Sequence, residues 1–300
     1  MSFRCAPPGG EGHAARPASM DLDCIILDFD GTFTDVEKEA VPFLEAYRDE
    51  FASVVGADAA RDWDEVAGEI GKTPDQFGWL FEGRIVAPSH ADPYIMATST
   101  AQKLLDDREA FVDPAERRTF LEGIFRRNYP KAANVFRPDA KDVVETLLGT
   151  DVPVYVVTNS LTDAVEAKLD DLAPKGRDKL KVFGNARKYV IAEPEGEIGA
   201  FGDVPESLDL PGLERPIYLR RGIYWDVLTT VLTEVGAAPE RTLVAGDIFE
   251  LDLALPAALG FPIHLVARPG TPSYERNAVT AHAKGAVSED LTSVATRVRG

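Results

Sequence analysis

Short, unbroken apolar runs recur along the chain, each ending in a turn or polar residue. They are Cys24–Phe29 (CIILDF), Val152–Ser160 (VPVYVVTNS), Leu180–Gly184 (LKVFG), Arg241–Asp247 (RTLVAGD), Phe261–Ala267 (FPIHLVA) and a fainter Gly285–Val287. A strand with one face in water alternates apolar and polar residues. A strand covered on both faces has no solvent positions and reads as a continuous run. Amphipathic stretches separate these runs at Thr162–Leu172, Tyr224–Val235 and Asp252–Leu259. Strand, helix, strand in this order predicts an α/β fold, a Rossmann-like doubly wound parallel sheet in three α/β/α layers. At 300 residues, 45% of them hydrophobic, the chain is long enough for that core and a second, smaller domain.

The rhythm breaks after the first run. From Val36 to about Phe136 apolar residues recur at helical spacing, as in Phe43, Leu44, Tyr47 and Phe51, then Trp63, Val66 and Ile70, then Ile95, Leu104 and Leu105, then Phe120, Leu121, Ile124 and Phe125. This predicts a helical domain over residues 37–136 inserted after the first strand, with residues 21–36 and 137–300 forming the α/β core. A second departure, Ala192–Glu214, is rich in Pro, Gly and acid and predicts an irregular surface excursion, a kind of segment that tends to be functional or mobile. Residues 1–20 are dominated by Pro, Gly and Ala without an apolar stretch, which predicts a disordered leader rather than a secretory signal, with Met20 a second possible start.

The net charge of −18 repels phosphate backbones and argues against nucleic-acid binding through a basic patch. The two cysteines, Cys5 and Cys24, allow neither a disulfide framework nor zinc-type spacing. No apolar run approaches the roughly 20 residues of a membrane helix. The expected compartment is the cytoplasm.

Ligands of open parallel sheets bind at the carboxyl ends of the strands. There the first strand delivers Asp28, Asp30, Gly31 and Thr32, the second Thr158, Asn159 and Ser160, and the Arg241–Asp247 run Gly246 and Asp247, with Glu250 and Asp252 just beyond. Side chains two apart on a strand share a face, so Asp28 and Asp30 can enter one pocket. Carboxylates that close repel unless a cation neutralises them, and a hard divalent ion such as Mg²⁺ suits carboxylates, waters and phosphate oxygens. Gly31 permits a sharp turn that brings amide N–H groups near an anion, and Thr158 offers a hydroxyl donor. A lone Asp after a strand is usually a turn or capping residue, which is the plain reading of Asp35 or of Asp252 by itself. Asp28, Asp30 and Asp247 together, all at strand ends, ask for more than capping.

The stretches DFDGT (Asp28–Thr32), VVTNS (Val156–Ser160) and AGDIFELD (Ala245–Asp252) resemble, in order, three motifs of the haloacid dehalogenase-like (HAD) hydrolase superfamily. The resemblance implies that Asp28 is a nucleophile forming an aspartyl-phosphate, and that Asp30 is the acid for the leaving group and then the base for water. It also implies that Asp28, Asp247 and the Asp30 main-chain carbonyl hold Mg²⁺ with support from Asp252, and that Thr158 and Asn159 bind phosphate. An acid at Asp30 favours phosphoryl chemistry, because the dehalogenases of the superfamily lack one there. The inserted helices resemble the cap that closes over substrate in this superfamily. The pattern also expects a basic residue; Lys188, near the end of the third run, and Arg221, by its spacing back from Asp247, both qualify.

The expected function is a Mg²⁺-dependent phosphatase of a small phosphorylated metabolite. Phosphoryl transfer or phosphonate cleavage on the same site, and a non-catalytic binding role, are its rivals. Phosphonate cleavage would want a cap lysine, and Lys38 and Lys72 are those in the first half of the cap. His90 reads as a loop residue with a conceivable substrate contact, His264 as structural, and Trp63, Trp79 and Trp225 as core.

Overall fold

The computed structural model of the chain describes residues 20–299. The expected leader, apart from Met20, lies outside these residues, as does Cys5.

The core opens with β1 (Cys24–Leu27). The inserted block follows as α1 (Val36–Val55), α2 (Ala57–Gly71), β2 (Gly78–Phe81), β3 (Arg84–Pro88), α3 (Pro93–Asp107) and α4 (Pro114–Asn128). The chain returns through α5 (Ala140–Leu148), β4 (Val154–Val157), α6 (Thr162–Leu172), β5 (Lys181–Phe183) and the short strands β6 (Ser207–Leu208) and β7 (Ile217–Tyr218). It ends with α7 (Gly222–Val235), β8 (Thr242–Gly246), α8 (Ala254–Ala258), β9 (Ile263–Val266), α9 (Ser273–Ala281), β10 (Gly285–Ser288) and α10 (Thr292–Arg299).

The main sheet runs β10-β9-β8-β1-β4-β5 with every pair parallel. β1 is central: Leu27 pairs with Val156 on one side and Ala245 on the other, so the strand ends carrying Asp28, Thr158 and Asp247 converge. Alternate residues of β1 enter different apolar layers. Cys24 and Ile26 pack with Trp225 and Leu228 of α7 and Tyr274 of α9, whereas Ile25 and Leu27 pack with Val143 and Leu147 of α5, Leu169 of α6 and Val294 of α10. That double cover is why the run lacks polar positions, and truncating a residue such as Leu27 to Ala would cost about 2–5 kcal/mol.

The inserted block has its own core, in which Phe43, Tyr47, Phe51, Trp63, Ile70, Leu104 and Ile124 meet as their spacing predicts. Asp92 and Asp113 each precede a proline and cap α3 and α4 by accepting two main-chain N–H bonds apiece. The block joins the core through a paired neck: Thr34 bridges Phe136, the Asp35 amide donates to Val135 O (2.9 Å), and the Arg137 amide donates to Phe33 O (2.8 Å).

Two expectations need correction. The insertion is not wholly helical, because β2 and β3 form an antiparallel hairpin. Its Glu82–Gly83 turn has positive φ at both residues, as a tight two-residue turn needs. The strands are too short for a period to declare itself. The stretch Ala192–Glu214 is also not a loose excursion. Phe201, Val204 and Leu213 are buried in the α7-side layer, Trp225 donates to Glu197 O (2.9 Å), and Arg220 donates to the carbonyls of Phe201 and Val204 (3.1 and 2.9 Å). Among the described residues no helix is long and apolar enough to cross a membrane.

Candidate active site

The Asp28 amide donates to Ala245 O (2.8 Å), extending the parallel ladder one residue beyond β1 and fixing Asp28 between β8 and β4. Phe29 then turns into the core, and Gly31 bends the chain at φ +79°. A Cβ on Gly31 would lie 2.2 Å from Asp247 Oδ2, and one on Gly246 would lie 2.5 Å from Asp252 Cβ. Glycine at both places is what lets the carboxylates of two strands approach the end of the first.

Asp28, Asp247 and Asp252 are buried, and each offers an oxygen within 4.8 Å of the others. The Lys188 ammonium, 1% exposed, bridges Asp28 Oδ1 (2.7 Å) and Asp252 Oδ1 (2.8 Å). Arg268 brings Nε to 2.7 Å from Asp247 Oδ2 and reaches Glu37 and the Ala91 carbonyl with the rest of its guanidinium. These two cations do not balance the group. Burial, and then the charge of Asp252, push the Asp28 carboxyl well above the usual range. Burial lifts Asp247 to about 7 although Arg268 opposes it, and Asp247 Oδ1 has no hydrogen-bond partner among the described residues. Desolvation pulls Lys188 down, but Asp252 and Asp28 outweigh it and hold the ammonium charged. A compact set of buried carboxylate oxygens, under-neutralised and with one atom unpartnered, fits a hard divalent cation.

Asp30 faces elsewhere. Its Oδ2 accepts from the hydroxyls of Ser160 (2.6 Å) and, more distantly, Thr158 (3.5 Å), and Lys168 Nζ lies 3.5 Å from Oδ1. The carboxylate therefore stays out of the Asp28–Asp247–Asp252 group, leaving only the main-chain carbonyl for the metal role that the sequence suggested. Asn159 Oδ1 accepts the Lys188 amide (2.8 Å) and so sets the segment that carries the ammonium.

Solved structures share this architecture at low identity. YfnB of Bacillus subtilis, assigned as a HAD-hydrolase and bound to magnesium, matches with a TM-score of 0.51 at 13% identity, over 91% of this chain and 96% of its own. The fold is that of the HAD-like hydrolases. A HAD phosphatase from Thermococcus onnurineus (TM-score 0.47, 16% identity, 91% and 96% covered) is also similar. So is L-2-haloacid dehalogenase from Xanthobacter autotrophicus with chloropropionic acid covalently bound (TM-score 0.46, 16% identity, 93% and 99% covered). No protein-family model and no curated protein sequence matches the chain.

Within the HAD-like fold, Arg221 corrects an expectation. It is fully buried and directs its guanidinium to three carbonyls, those of Tyr218 (2.9 Å), Lys188 (2.6 Å) and Val86 (3.0 Å). Desolvation lowers it to about 10. Of the two basic residues left open by the sequence, Lys188 is the one at Asp28. Arg221 braces the Lys188 backbone from behind and ties it to β3.

A cavity of about 530 Å³ lies between core and insertion. Asp28, Asp30, Thr158, Asn159 and Asp247 line its floor, and Trp79, Tyr94, Phe125 and Tyr129 come from the insertion. The stretch 192–214 contributes no lining residue, and neither does His90, whose ring nitrogens are buried without a partner among the described residues. Sequence reasoning quoted Ser160 without assigning it, and missed Arg268 and Lys168. Arg268 follows β9, and the strand-end rule that found Asp247 points to it. Lys168 sits in mid-helix and carries no local signal.

Proposed function

We propose that this chain is a Mg²⁺-dependent phosphatase of a small phosphomonoester. The observation that carries the reading is Asp30, a second carboxylate two residues beyond Asp28, hydrogen-bonded to Ser160 and open to the cavity. Expulsion of a halide needs no proton donor, whereas expulsion of an alkoxide does.

An Asp28 oxygen attacks phosphorus, the ester P–O bond breaks, and protonated Asp30 delivers its proton to the departing alkoxide. Asp30, now ionised, takes a proton from a water that attacks the phosphorus of the aspartyl-phosphate, releasing phosphate and regenerating Asp28. Lys188 neutralises the nucleophile and the transferring group, and the Thr158 hydroxyl donates to a phosphoryl oxygen. Asp28, Asp247 and the Asp30 carbonyl, supported by Asp252, would hold Mg²⁺, which supplies positive charge to the phosphoryl oxygens. The walls of the insertion exclude bulk water from the acyl phosphate.

Phosphonate cleavage through a lysine imine draws no support. Lys38 is 70% exposed by side chain and paired with Asp35 (2.6 Å), Lys72 is exposed, and neither lines the cavity. Hydrolysis of 4-nitrophenyl phosphate with Mg²⁺, compared between the wild type and Asp28→Asn, tests the proposal. The variant is expected to fold normally and lose turnover; wild-type turnover in Asp28→Asn, or release of halide from a haloacid, would overturn it.

A further inference from the structure

Resting on the phosphatase reading, we propose that the site selects phosphomonoesters of aromatic or similarly apolar alcohols and rejects leaving groups that carry a second anion. Beside the carboxylates the cavity wall carries four rings from the insertion, Trp79, Tyr94, Phe125 and Tyr129, among aliphatic side chains such as Ile95, Ile248 and Leu251. Phe125 and Tyr129 stack at 5.4 Å with planes 17° apart, and Tyr94 meets Tyr129 edge-on at 5.4 Å. Trp79 on the β2–β3 hairpin is backed by Tyr189 at 4.3 Å. Rings braced by other rings keep their positions, so a flat apolar group meets a preformed surface and little side-chain order is lost on binding.

Charge sets the second half of the selection. Among the described residues no Arg or Lys lines the cavity. The charged wall residues beyond Asp30 and the metal-type carboxylates are Glu39 and Asp92. Glu39 is occupied by Lys168, whose remaining reach is toward Asp30. Asp92 spends Oδ1 on the amides of Tyr94 (2.6 Å) and Ile95 (3.2 Å) at the start of α3. The cation that most opposes the Asp92 charge, Arg268, is shared with Asp247 and Glu37. Burial pushes the Asp92 carboxyl up to about 6, a sign that its charge is under-compensated where it stands. A carboxylate or second phosphate on the leaving group would be desolvated here against negative charge and would find no free cation. The same wall accepts an uncharged ring.

The test uses the full chain with Mg²⁺ and compares kcat/KM for ethyl, benzyl and 4-carboxybenzyl phosphate. The alcohols differ little in basicity, so bond cleavage is similar and the ratios report binding of the leaving group. Benzyl phosphate is expected to exceed ethyl phosphate by about tenfold or more, and 4-carboxybenzyl phosphate to fall below benzyl phosphate by a similar factor, mostly in KM. Trp79→Ala should lower the benzyl-to-ethyl ratio. Asp92→Asn keeps a side chain able to cap α3 and should raise the ratio of 4-carboxybenzyl to benzyl phosphate. Equal or better turnover of the ethyl ester, or of the carboxylated ester, relative to the benzyl ester overturns the inference and leaves the phosphatase reading standing. Hydrolysis of none of these esters, 4-nitrophenyl phosphate included, overturns both.

Discussion

Replacing Gly31 by Ala probes the closest approach in the site. The added Cβ would lie 2.2 Å from Asp247 Oδ2 and 2.7 Å from Asp247 Cγ. The carboxylate must therefore retreat by about 1 Å to reach ordinary contact, and Arg268, holding Asp247 at 2.7 Å and tied to Glu37 and Ala91, resists that retreat. Two costs follow. Alanine at φ +79° loses about 1–2 kcal/mol by backbone strain alone. The clash and the disturbed ion pair add about 1–3 kcal/mol. Function should suffer more than stability, since misplacing a reacting or coordinating group by about 1 Å costs on the order of a hundredfold. Urea denaturation gives the stability change, and a Mg²⁺ titration of 4-nitrophenyl phosphate hydrolysis gives the activity and the metal midpoint. The expected result is a loss of about 2–5 kcal/mol, about a hundredfold lower kcat/KM and a higher Mg²⁺ midpoint. In an Asp247→Ala background the clash is gone, and the stability cost of Gly31→Ala should shrink to the backbone part, about 1–2 kcal/mol. A Gly31→Ala protein with the wild-type Mg²⁺ midpoint and kcat/KM would refute the reasoning.

The two buried cations should respond differently. Lys188→Met leaves Asp28 and Asp252 facing each other unpaired and is expected to cost about 3–5 kcal/mol in metal-free buffer, with part of the loss recovered in Mg²⁺. Arg221→Met strands three carbonyls and should destabilise by about 2–4 kcal/mol with no such recovery; recovery by Mg²⁺ equal to that of Lys188→Met would contradict the bracing role. Stability should also depend on pH in two opposite ways. Burial and Glu250 raise Glu275 to about 8 from an ordinary 4.5, so its contribution is fully present below 4.5 and is lost as pH rises toward 8, by about 1.4 kcal/mol per pH unit at most. Burial lowers His264 to about 3 from 6.5, so its contribution is present above 6.5 and is lost as pH falls toward 3. Denaturation midpoints from pH 4 to 8 should show the Glu275 decline flattened in Glu275→Gln, and an unchanged slope in that variant would refute the assignment.

The sheet was legible because its strands are covered twice. Unbroken runs such as Ile25–Leu27 and Val154–Val157 have no solvent face to interrupt them, and their C-terminal residues announced the cluster of acids. Helix α6 spans the very residues, Thr162–Leu172, that its pattern marked. The hairpin Gly78–Pro88 was not read, since its strands are short and the Glu82–Gly83 turn was its one clear sign. The buried part of 192–214 rests on a few apolar residues scattered among prolines, glycines and acids, which leaves no period to detect. Lys188 and Arg221 were indistinguishable along the chain because their difference is one of direction. One side chain points into the carboxylates and the other into the backbone behind them.

The neck at Thr34 and Phe136 carries a consequence for the history and engineering of such a chain. The inserted block leaves and re-enters the core at places joined by main-chain hydrogen bonds, so it is a detour whose ends coincide. Its helices pack around an apolar core of their own, distinct from the two layers that sandwich the sheet. Removing or exchanging the detour leaves the order of the main sheet untouched, but besides a short turn across the neck it must replace what the core makes with the insertion: the bonds of Arg221, Arg268 and Arg215 to Val86, Glu37, Ala91 and Pro74, the Lys168–Glu39 pair, the Trp79–Tyr189 contact and the apolar cluster of Ala87 and Ala91 with Ile248 and Leu251. The carboxylates of the candidate site thus stand on the sheet core, and the rings Trp79, Tyr94, Phe125 and Tyr129 of the cavity wall stand on a detour of the same polypeptide that begins and ends at one place.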